Sequence, residues 1–162
     1  MTRESFKEMF DLYFEDIRRY IFYRGGDPVL ADDIAQQTFL KVWEKQMKII
    51  PGKEKGLLFK MAGDEFIDQV RKKKREIDFS AAFYEKNLDV TPEEVFESKE
   101  LNQRFTRVLN TMKESSRIVF MMSRNDDLTY QEIATSLNIS VKAVEKRMKG
   151  ALDKFRQEFQ KE

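Results

Sequence analysis

The sequence predicts an all-α chain of two small helical domains, an N-terminal helical bundle and a C-terminal helix-turn-helix bundle, joined by an acidic linker. Three observations predict it. Apolar residues recur at three- and four-residue steps along most of the chain and nowhere alternate with the period of two that marks a strand. Glycine, proline and small hydroxyl residues fall between these runs, where helices stop and start. Around residues 77–91 the periodicity fades and the charge turns acidic, as in a linker. The expected division is 1–76, 77–91 and 92–162.

Composition narrows the function. A chain of 162 residues suffices for two modest cores. Cysteine and histidine are both absent, which removes disulfides, thiol redox chemistry, zinc fingers, imidazole acid–base catalysis and Ser-His-Asp sites together. Little enzymology survives that, and no metal, cofactor or small-molecule substrate is expected. The longest apolar runs fall far short of the roughly 20 residues that span a bilayer, and Met1-Thr2-Arg3-Glu4-Ser5 leads into no signal-peptide core. A reducing, cytoplasmic location is expected. The 30 basic and 29 acidic residues nearly cancel, but they are distributed unevenly. Residues 41–76 carry 11 basic against 6 acidic and residues 101–162 carry 12 against 8, whereas residues 77–100 carry 2 against 7.

Element by element, Phe6, Met9, Phe10, Tyr13, Phe14, Ile17, Tyr20 and Ile21 mark an amphipathic helix over about residues 5–24, ended by Gly25-Gly26. Asp27-Pro28 is an N-cap followed by proline at the first helical position, and it opens a second helix along Leu30, Ile34, Thr38 and Val42. After Pro51-Gly52, Leu57, Leu58, Met61, Ala62, Phe66, Ile67 and Val70 give a third helical stretch. Gly63-Asp64 is its weakest point and a possible break. Thr91-Pro92-Glu93-Glu94 reads as a capping box before Phe96, Leu101, Phe105, Val108 and Leu109, and a shorter helix holds Ile118, Val119, Met121 and Met122.

Two constellations carry function. Thr129-Tyr130-Gln131-Glu132 is a capping box that starts a short helix, Leu137-Asn138-Ile139 is a turn, and Ser140 caps a long final helix with Val141, Val144, Met148, Leu152, Phe155 and Phe159 inward. This is the form of a helix-turn-helix, with small Ala134 where the two helices approach and Asn138 where such turns favour glycine. Lys142, Glu145, Lys146 and Lys149 then fall on the outer face, placed to enter a major groove. A helical hairpin with a solvated charged face has the same periodicity. The second constellation is the basic run Arg71 to Arg75 behind aromatic Phe59 and Phe66, suited to phosphates and unpaired bases, or to the ordinary cationic end of a helix.

The stretch from Ala31 to Trp43 resembles the polymerase-binding helix of extracytoplasmic-function sigma factors, of the sigma-seventy family of bacterial RNA polymerase. Leu58 to Lys72 is similar to that family's segment that melts and reads the minus-ten promoter element. Ser116 to Phe155 looks like its region four. The resemblance implies a factor that binds core RNA polymerase, docks its C-terminal domain on the minus-thirty-five element and helps open promoter DNA at minus ten, leaving catalysis to the polymerase. It further implies that Asp33, Gln36, Gln37 and Phe39 contact the polymerase clamp helices. Lys60, Asp64, Arg71 and Lys72 line the minus-ten site; Glu145, Lys146 and Lys149 read minus thirty-five, with Lys142 and Arg147 on phosphates. Such factors often answer to a membrane-anchored anti-sigma factor.

Three positions depart from the family pattern. Gln37 stands for a glutamate, so one interfacial charge is missing. Lys113-Glu114-Ser115-Ser116 replaces a proline-containing turn at a helix start. Asp64 stands where asparagine is common, beside the extruded base, and an ionised carboxylate accepts hydrogen bonds but donates none. Either a base with an exocyclic amine is preferred there, or Asp64 turns away. A different reading of the residues is a stand-alone helix-turn-helix regulator whose N-terminal domain senses or dimerises. A carboxylate metal enzyme fits poorly, because Asp32 and Asp33 diverge on a helix and no Glu-x-x-His pair completes a di-metal site.

Overall fold

The computed structural model describes residues 1–72, 78–79 and 92–160, with the side chains of 92–98 excepted. Among the described residues there are seven helices and no strand. The expected linker over 77–91 (apart from Asp78 and Phe79), Lys73 to Arg75, the cap at Thr91 to Glu94 and the Phe96 side chain lie outside the described residues.

Helix α1 runs Arg3–Gly25, two residues earlier than the apolar spacing alone implies, because Thr2 and Ser5 form a reciprocal cap. The Ser5 amide donates to Thr2 Oγ1 and the Thr2 amide to Ser5 Oγ, each at 3.1 Å. Gly26 closes the helix at φ 72°, where a β-carbon would stand 2.5 Å from the Asp78 carbonyl oxygen, so only glycine suits both the backbone and the space. Asp27 then caps helix α2, Pro28–Glu44, accepting from the Val29 and Leu30 amides at 3.0 and 3.1 Å. Helix α3, Glu54–Lys72, passes through Gly63-Asp64 unbroken. Gly63 is buried there because Tyr20 and Arg24 of α1 come within 3.3 and 3.0 Å of where a β-carbon would be, so its small size serves packing.

These three helices enclose one core. Ile17, Ile21, Ile34, Val42, Leu58 and Ala62 are essentially inaccessible to water, and each large aliphatic contributes about 1.5–3 kcal/mol by burial. At one end Phe39 meets Phe6, Phe10 and Phe14 with ring centroids 5.1–6.3 Å apart. Ile67 and Val70, expected inside, are 38% and 36% exposed.

Helices α4 (Pro92–Thr111), α5 (Glu114–Arg124), α6 (Tyr130–Leu137) and α7 (Val141–Phe159) form the second bundle around Val108, Leu109, Val119, Met122, Ile133, Val144 and Met148. Phe105, Phe120 and Phe155 stack between α4, α5 and α7 at 4.6–6.0 Å. Leu101 is 55% exposed, against the expectation that it joins this core. Helix α5 begins at Glu114 without a side-chain cap from Lys113.

The two bundles touch, α1 against α5 and α3 against α6. At the first contact Arg117 of α5 is 1% exposed. Its guanidinium donates to the carbonyls of Tyr23 and Arg24 at 2.8 Å each, and to those of Met112 at 3.2 Å and Leu109 at 3.4 Å. One cation thus satisfies the open carbonyl ends of both α1 and α4, where the helix dipoles also favour positive charge. Phe79 lies beneath it, ring centroid 4.4 Å away and fully buried, within a stretch expected to be a linker rather than a core element. Beside it the Tyr23 hydroxyl donates to Asp126 at 2.5 Å, Arg19 pairs with Asp126 at 3.0 Å and Arg24 with Glu114 at 2.7 Å. Burial pushes the Tyr23 phenol up, and the Asp126 carboxylate beside it adds to the shift. Burial likewise raises Asp126, against the hydrogen bond from Tyr23. Desolvation lowers Arg117.

Candidate nucleic-acid and polymerase interfaces

The helix-turn-helix is built by its caps. Thr129 Oγ1 accepts from the Glu132 amide at 3.2 Å, and Glu132 Oε2 accepts from the Thr129 amide at 2.9 Å, so the box read in the sequence starts α6. The chain leaves α6 through Asn138 at φ 53°, ψ 49°, and the Ile139 amide closes back on the Ala134 carbonyl at 3.0 Å. Ser140 Oγ then takes the Ala143 amide at 3.1 Å and opens α7. Ala134 is 3% exposed at the crossing, and Val144 and Met148 anchor α7 inward. That phase leaves Lys142, Glu145, Lys146 and Lys149 exposed on one face, with Arg147 half-buried at its margin. Among the described residues none of the four exposed side chains is drawn into an ion pair, so the face presents three cations and one carboxylate to solvent.

On α3, Lys60, Asp64, Arg71 and Lys72 are all exposed. Lys60 and Asp64 lie one turn apart and pair at 3.1 Å, with side chains 75% and 63% exposed. The carboxylate therefore points into solvent with its charge half-answered by the adjacent ammonium. Arg71 and Lys72 close the last turn, where the helix dipole favours cations. Phe59 and Phe66, considered as stacking platforms for bases, are 3% and 6% exposed. Phe59 packs on Tyr20, ring centroids 4.7 Å apart, and Phe66 lies under the Arg24 guanidinium at 4.7 Å. They hold α3 to α1 and are not available to a base.

On α2, Asp33, Gln36 and Gln37 form an exposed polar stripe at helical spacing. Phe39 does not join them. At 2% exposure it belongs to the phenylalanine cluster, in phase with Ala31, Ile34, Ala35, Thr38 and Val42, so contact with a partner through its ring is excluded in this conformation. Its neighbour Leu40 is 44% exposed and extends the stripe instead. The same buried phase, read one residue on, distinguishes the two positions. Lys41 of α2 and Glu65 of α3 form an ion pair that ties this stripe to α3. Hydrogen bonds from Lys41 and then Gln69 hold the Glu65 carboxyl below its ordinary 4.5, despite burial.

Among the described residues no cluster of His, Cys, Asp or Glu is arranged to hold a metal ion, and no helix is long and apolar enough to cross a membrane. Residues 9–76 match the family model described as Sigma-70 region 2, and residues 102–155 match Sigma-70, region 4. The ferric citrate uptake sigma factor FecI of Escherichia coli is 30% identical over 126 residues, 76% of this chain and 72% of that protein. The ECF RNA polymerase sigma factor SigM of Bacillus subtilis is 26% identical over 133 residues, 82% of each chain. In fold, the chain superposes with a TM-score of 0.63 on the sigma factor RpoE of Bartonella quintana, solved in complex with the anti-sigma factor NepR. That match is 17% identical and covers 98% of this chain and 99% of the other.

Proposed function

The chain belongs to the sigma-70 family as a sigma factor of the extracytoplasmic-function type, and from that premise we propose how its residues divide the work of directing core RNA polymerase to promoters and opening them. Residues 1–76 serve as region 2, which binds core polymerase and reads the minus-ten element. Residues 92–162 serve as region 4, which reads minus thirty-five, with 77–91 between them.

On α7, Glu145, Lys146 and Lys149 face the major groove. Lysine reaches guanine O6 and N7, and Glu145 accepts from a cytosine amine. Lys142 and Arg147 hold phosphates and fix the register. On α3, Lys60, Arg71 and Lys72 follow the backbone of the opened strand. Asp64, paired with Lys60, favours a base that offers an exocyclic amine. Asp33, Gln36 and Gln37, extended by Leu40, form the surface for the polymerase clamp helices, and Phe39 supports it from below.

Catalysis belongs to the polymerase and the chain works in the cytoplasm. Its near-neutral net charge of +1 suits a factor that binds promoters well only after assembly, since affinity for free DNA rests mainly on phosphate neutralisation. An anti-sigma factor is a further expected partner, as NepR is for the Bartonella protein.

One observation carries the reading: a capped helix-turn-helix with an uncommitted charged face occupies the same chain, in family order, as the region 2 match. The test is to mix the purified chain with bacterial core RNA polymerase and to assay complex formation and run-off transcription from the promoter upstream of its own gene. Promoter-specific transcripts are expected. Direct DNA binding by the chain alone, with no polymerase complex, would turn the assignment to a stand-alone regulator.

A further inference from the structure

Most ion pairs on a helix surface join neighbouring turns and add little to stability. The pair between Lys41 and Glu65 differs in its place and in its partners. It crosses from α2 to α3, between residues 24 positions apart. Lys41 donates to Glu65 Oε2, and Gln69 Nε2 donates to the other oxygen, Oε1, at 3.1 Å, so both oxygens are engaged and the carboxylate is held in one orientation. Its side chain is 17% exposed, against 63% for Asp64 beside it. The Lys72 ammonium adds its pull on the same group.

This network lies between the two surfaces assigned to region 2. On α2, Lys41 stands one turn beyond Gln37 and next to Leu40, at the edge of the stripe assigned to polymerase. On α3, Glu65 precedes Phe66, the last buried residue of that helix, which meets Gly25 and Arg24 of α1. None of residues 67–72 is buried. The end of α3 that carries Arg71 and Lys72 is therefore aimed from residues 65 and 66, through Phe66 on α1 and through Glu65 on α2. Lys72 stands seven residues beyond Glu65, roughly 10 Å along the axis, so a tilt of about 10° at Glu65 carries that end about 2 Å. A shift of that size breaks a hydrogen bond to a phosphate.

We propose that Glu65 is a positioning residue for minus-ten recognition: anchored on Lys41, it fixes the angle between the helix that polymerase grips and the basic end of α3 that meets the opened strand. The proposal deepens the sigma reading above and rests on it. Apolar burial between α2 and α3 holds the helices together but has no direction, whereas a carboxylate bonded through both oxygens sets their relative angle. A factor gripped at α2 then presents Arg71 and Lys72 to phosphates as accurately as α3 is set on α2. Charge alone predicts the opposite effect of losing Glu65. A carboxylate near cations that meet phosphates repels the nucleic acid, so its removal by itself tightens binding.

The test uses the full chain assembled with core polymerase and a forked DNA probe whose minus-ten element is single-stranded. Glu65→Gln is expected to bind core polymerase within about twofold of the wild type yet to hold the probe about tenfold less tightly, a coupling of the size found between residues that share partners. Exchanging the charges, Lys41→Glu with Glu65→Lys, is expected to recover most of that loss at unchanged net charge. In a chain carrying Arg71→Ala and Lys72→Ala, adding Glu65→Gln is expected to cost less than about twofold, because the groups it positions are gone. Should Glu65→Gln lose its helical circular dichroism, Lys41→Met removes the anchor at a 43% exposed side chain outside the core, and the same measurements decide. Probe binding that is unchanged or tighter in the folded variant, or a loss equally large without Arg71 and Lys72, would overturn the proposal. A wild-type chain that binds no core polymerase overturns the sigma reading, and the proposal with it.

Discussion

Replacing Phe39 separates support of the polymerase surface from contact with it. Its ring is 2% exposed and meets three other phenylalanine rings, the closest being Phe10 at 5.1 Å and 67°. Truncation to alanine removes the aromatic contacts and leaves a cavity, a change that costs about 3–5 kcal/mol at such sites. For a chain of this size each kcal/mol lowers the melting temperature by about 2–4 °C, so Phe39→Ala is expected to melt roughly 6–20 °C below the wild type. Phe39→Leu, which keeps most of the volume, is expected to lose less. Gln37→Ala, on the exposed stripe, should leave the melting temperature within about 1–2 °C, because surface substitutions without structural partners shift stability by at most about 0.5 kcal/mol. Circular dichroism melts check the stabilities. Core-polymerase titration, performed well below each melting point, checks the interface. Phe39→Leu is expected to bind near normally and Gln37→Ala more weakly. A Phe39→Ala chain as stable as the wild type but unable to bind polymerase would refute this division, since it would mean the ring leaves the core to reach the partner.

Asn138 adopts the left-handed conformation at a modest cost, so Asn138→Gly should hold or slightly raise the melting temperature, whereas Asn138→Val should lower stability by about 1–2 kcal/mol. A thermal melt in which glycine is the worse residue would contradict the turn geometry. Lys142→Ala should reduce the slope of log affinity against log salt for promoter binding by the holoenzyme by about 0.9, the signature of one lost phosphate contact, with promoter preference retained. Lys146→Ala should instead relax preference at a single base pair, measured across a set of minus-thirty-five variants, and uniform weakening across the set would remove it from base reading. The Glu65 carboxyl is held below 4.5 in the fold, so its contribution to stability is present above that pH and is lost as pH falls below it through the lowered value. Glu65→Gln should therefore close part of the gap to wild type as denaturant midpoints are measured downward from about pH 6 to pH 3. Asp126 acts in the opposite sense: its pKa is raised from 3.8 by burial, so its contribution is fully present below that pH and fades as pH rises through the raised value.

What was legible in the sequence was local. The order of the helices, the caps at Asp27, Thr129 and Ser140, and the left-handed turn at Asn138 follow from interactions within four residues, where propensity and spacing speak directly. The Thr2 cap was missed because serine, not glutamate, answers it at the third position. Gly63 looked like a break because its reason for being small lies on α1, about 40 residues away. Leu101, Ile67 and Val70 satisfy the helical period and are exposed, since periodicity marks a face but not whether another element covers it. For the candidate site, the exposure of Lys60, Asp64, Arg71, Lys72 and the four outer residues of α7 was foreseeable from the phase of their helices. The burial of Phe39, Phe59 and Phe66 was equally present in that phase, but the family pattern assigned Phe39 to a partner and the neighbouring basic run drew Phe59 and Phe66 towards unpaired bases. Arg117 and Phe79 carried no local signal at all. Their partners lie 94 and 31 residues away, and a single arginine in a charged chain gives no sign that it will be buried.

The residues assigned to function and those that hold the fold hardly overlap, and the physics of each role explains why. A side chain that must meet a phosphate, a base edge or a polymerase helix must stay hydrated and mobile in the free chain, so it cannot also supply buried area or a satisfied internal hydrogen bond. Lys142, Lys146, Lys149, Gln36 and Gln37 meet that condition; Phe39, Phe59 and Phe66 meet the opposite one. The Lys60–Asp64 pair stands between these cases. Exposed pairs of this kind are worth about 0.3–0.5 kcal/mol, too little to fix either side chain against a nucleic acid that offers Lys60 a phosphate. In the proposed minus-ten role, Lys60 would turn to the phosphate and release the Asp64 carboxylate next to the strand, where it would repel backbone charge and be satisfied by a base amine. On that reading the pair lets an acidic residue sit on the helix proposed to read DNA, and its rearrangement would convert that acidity into a preference among bases.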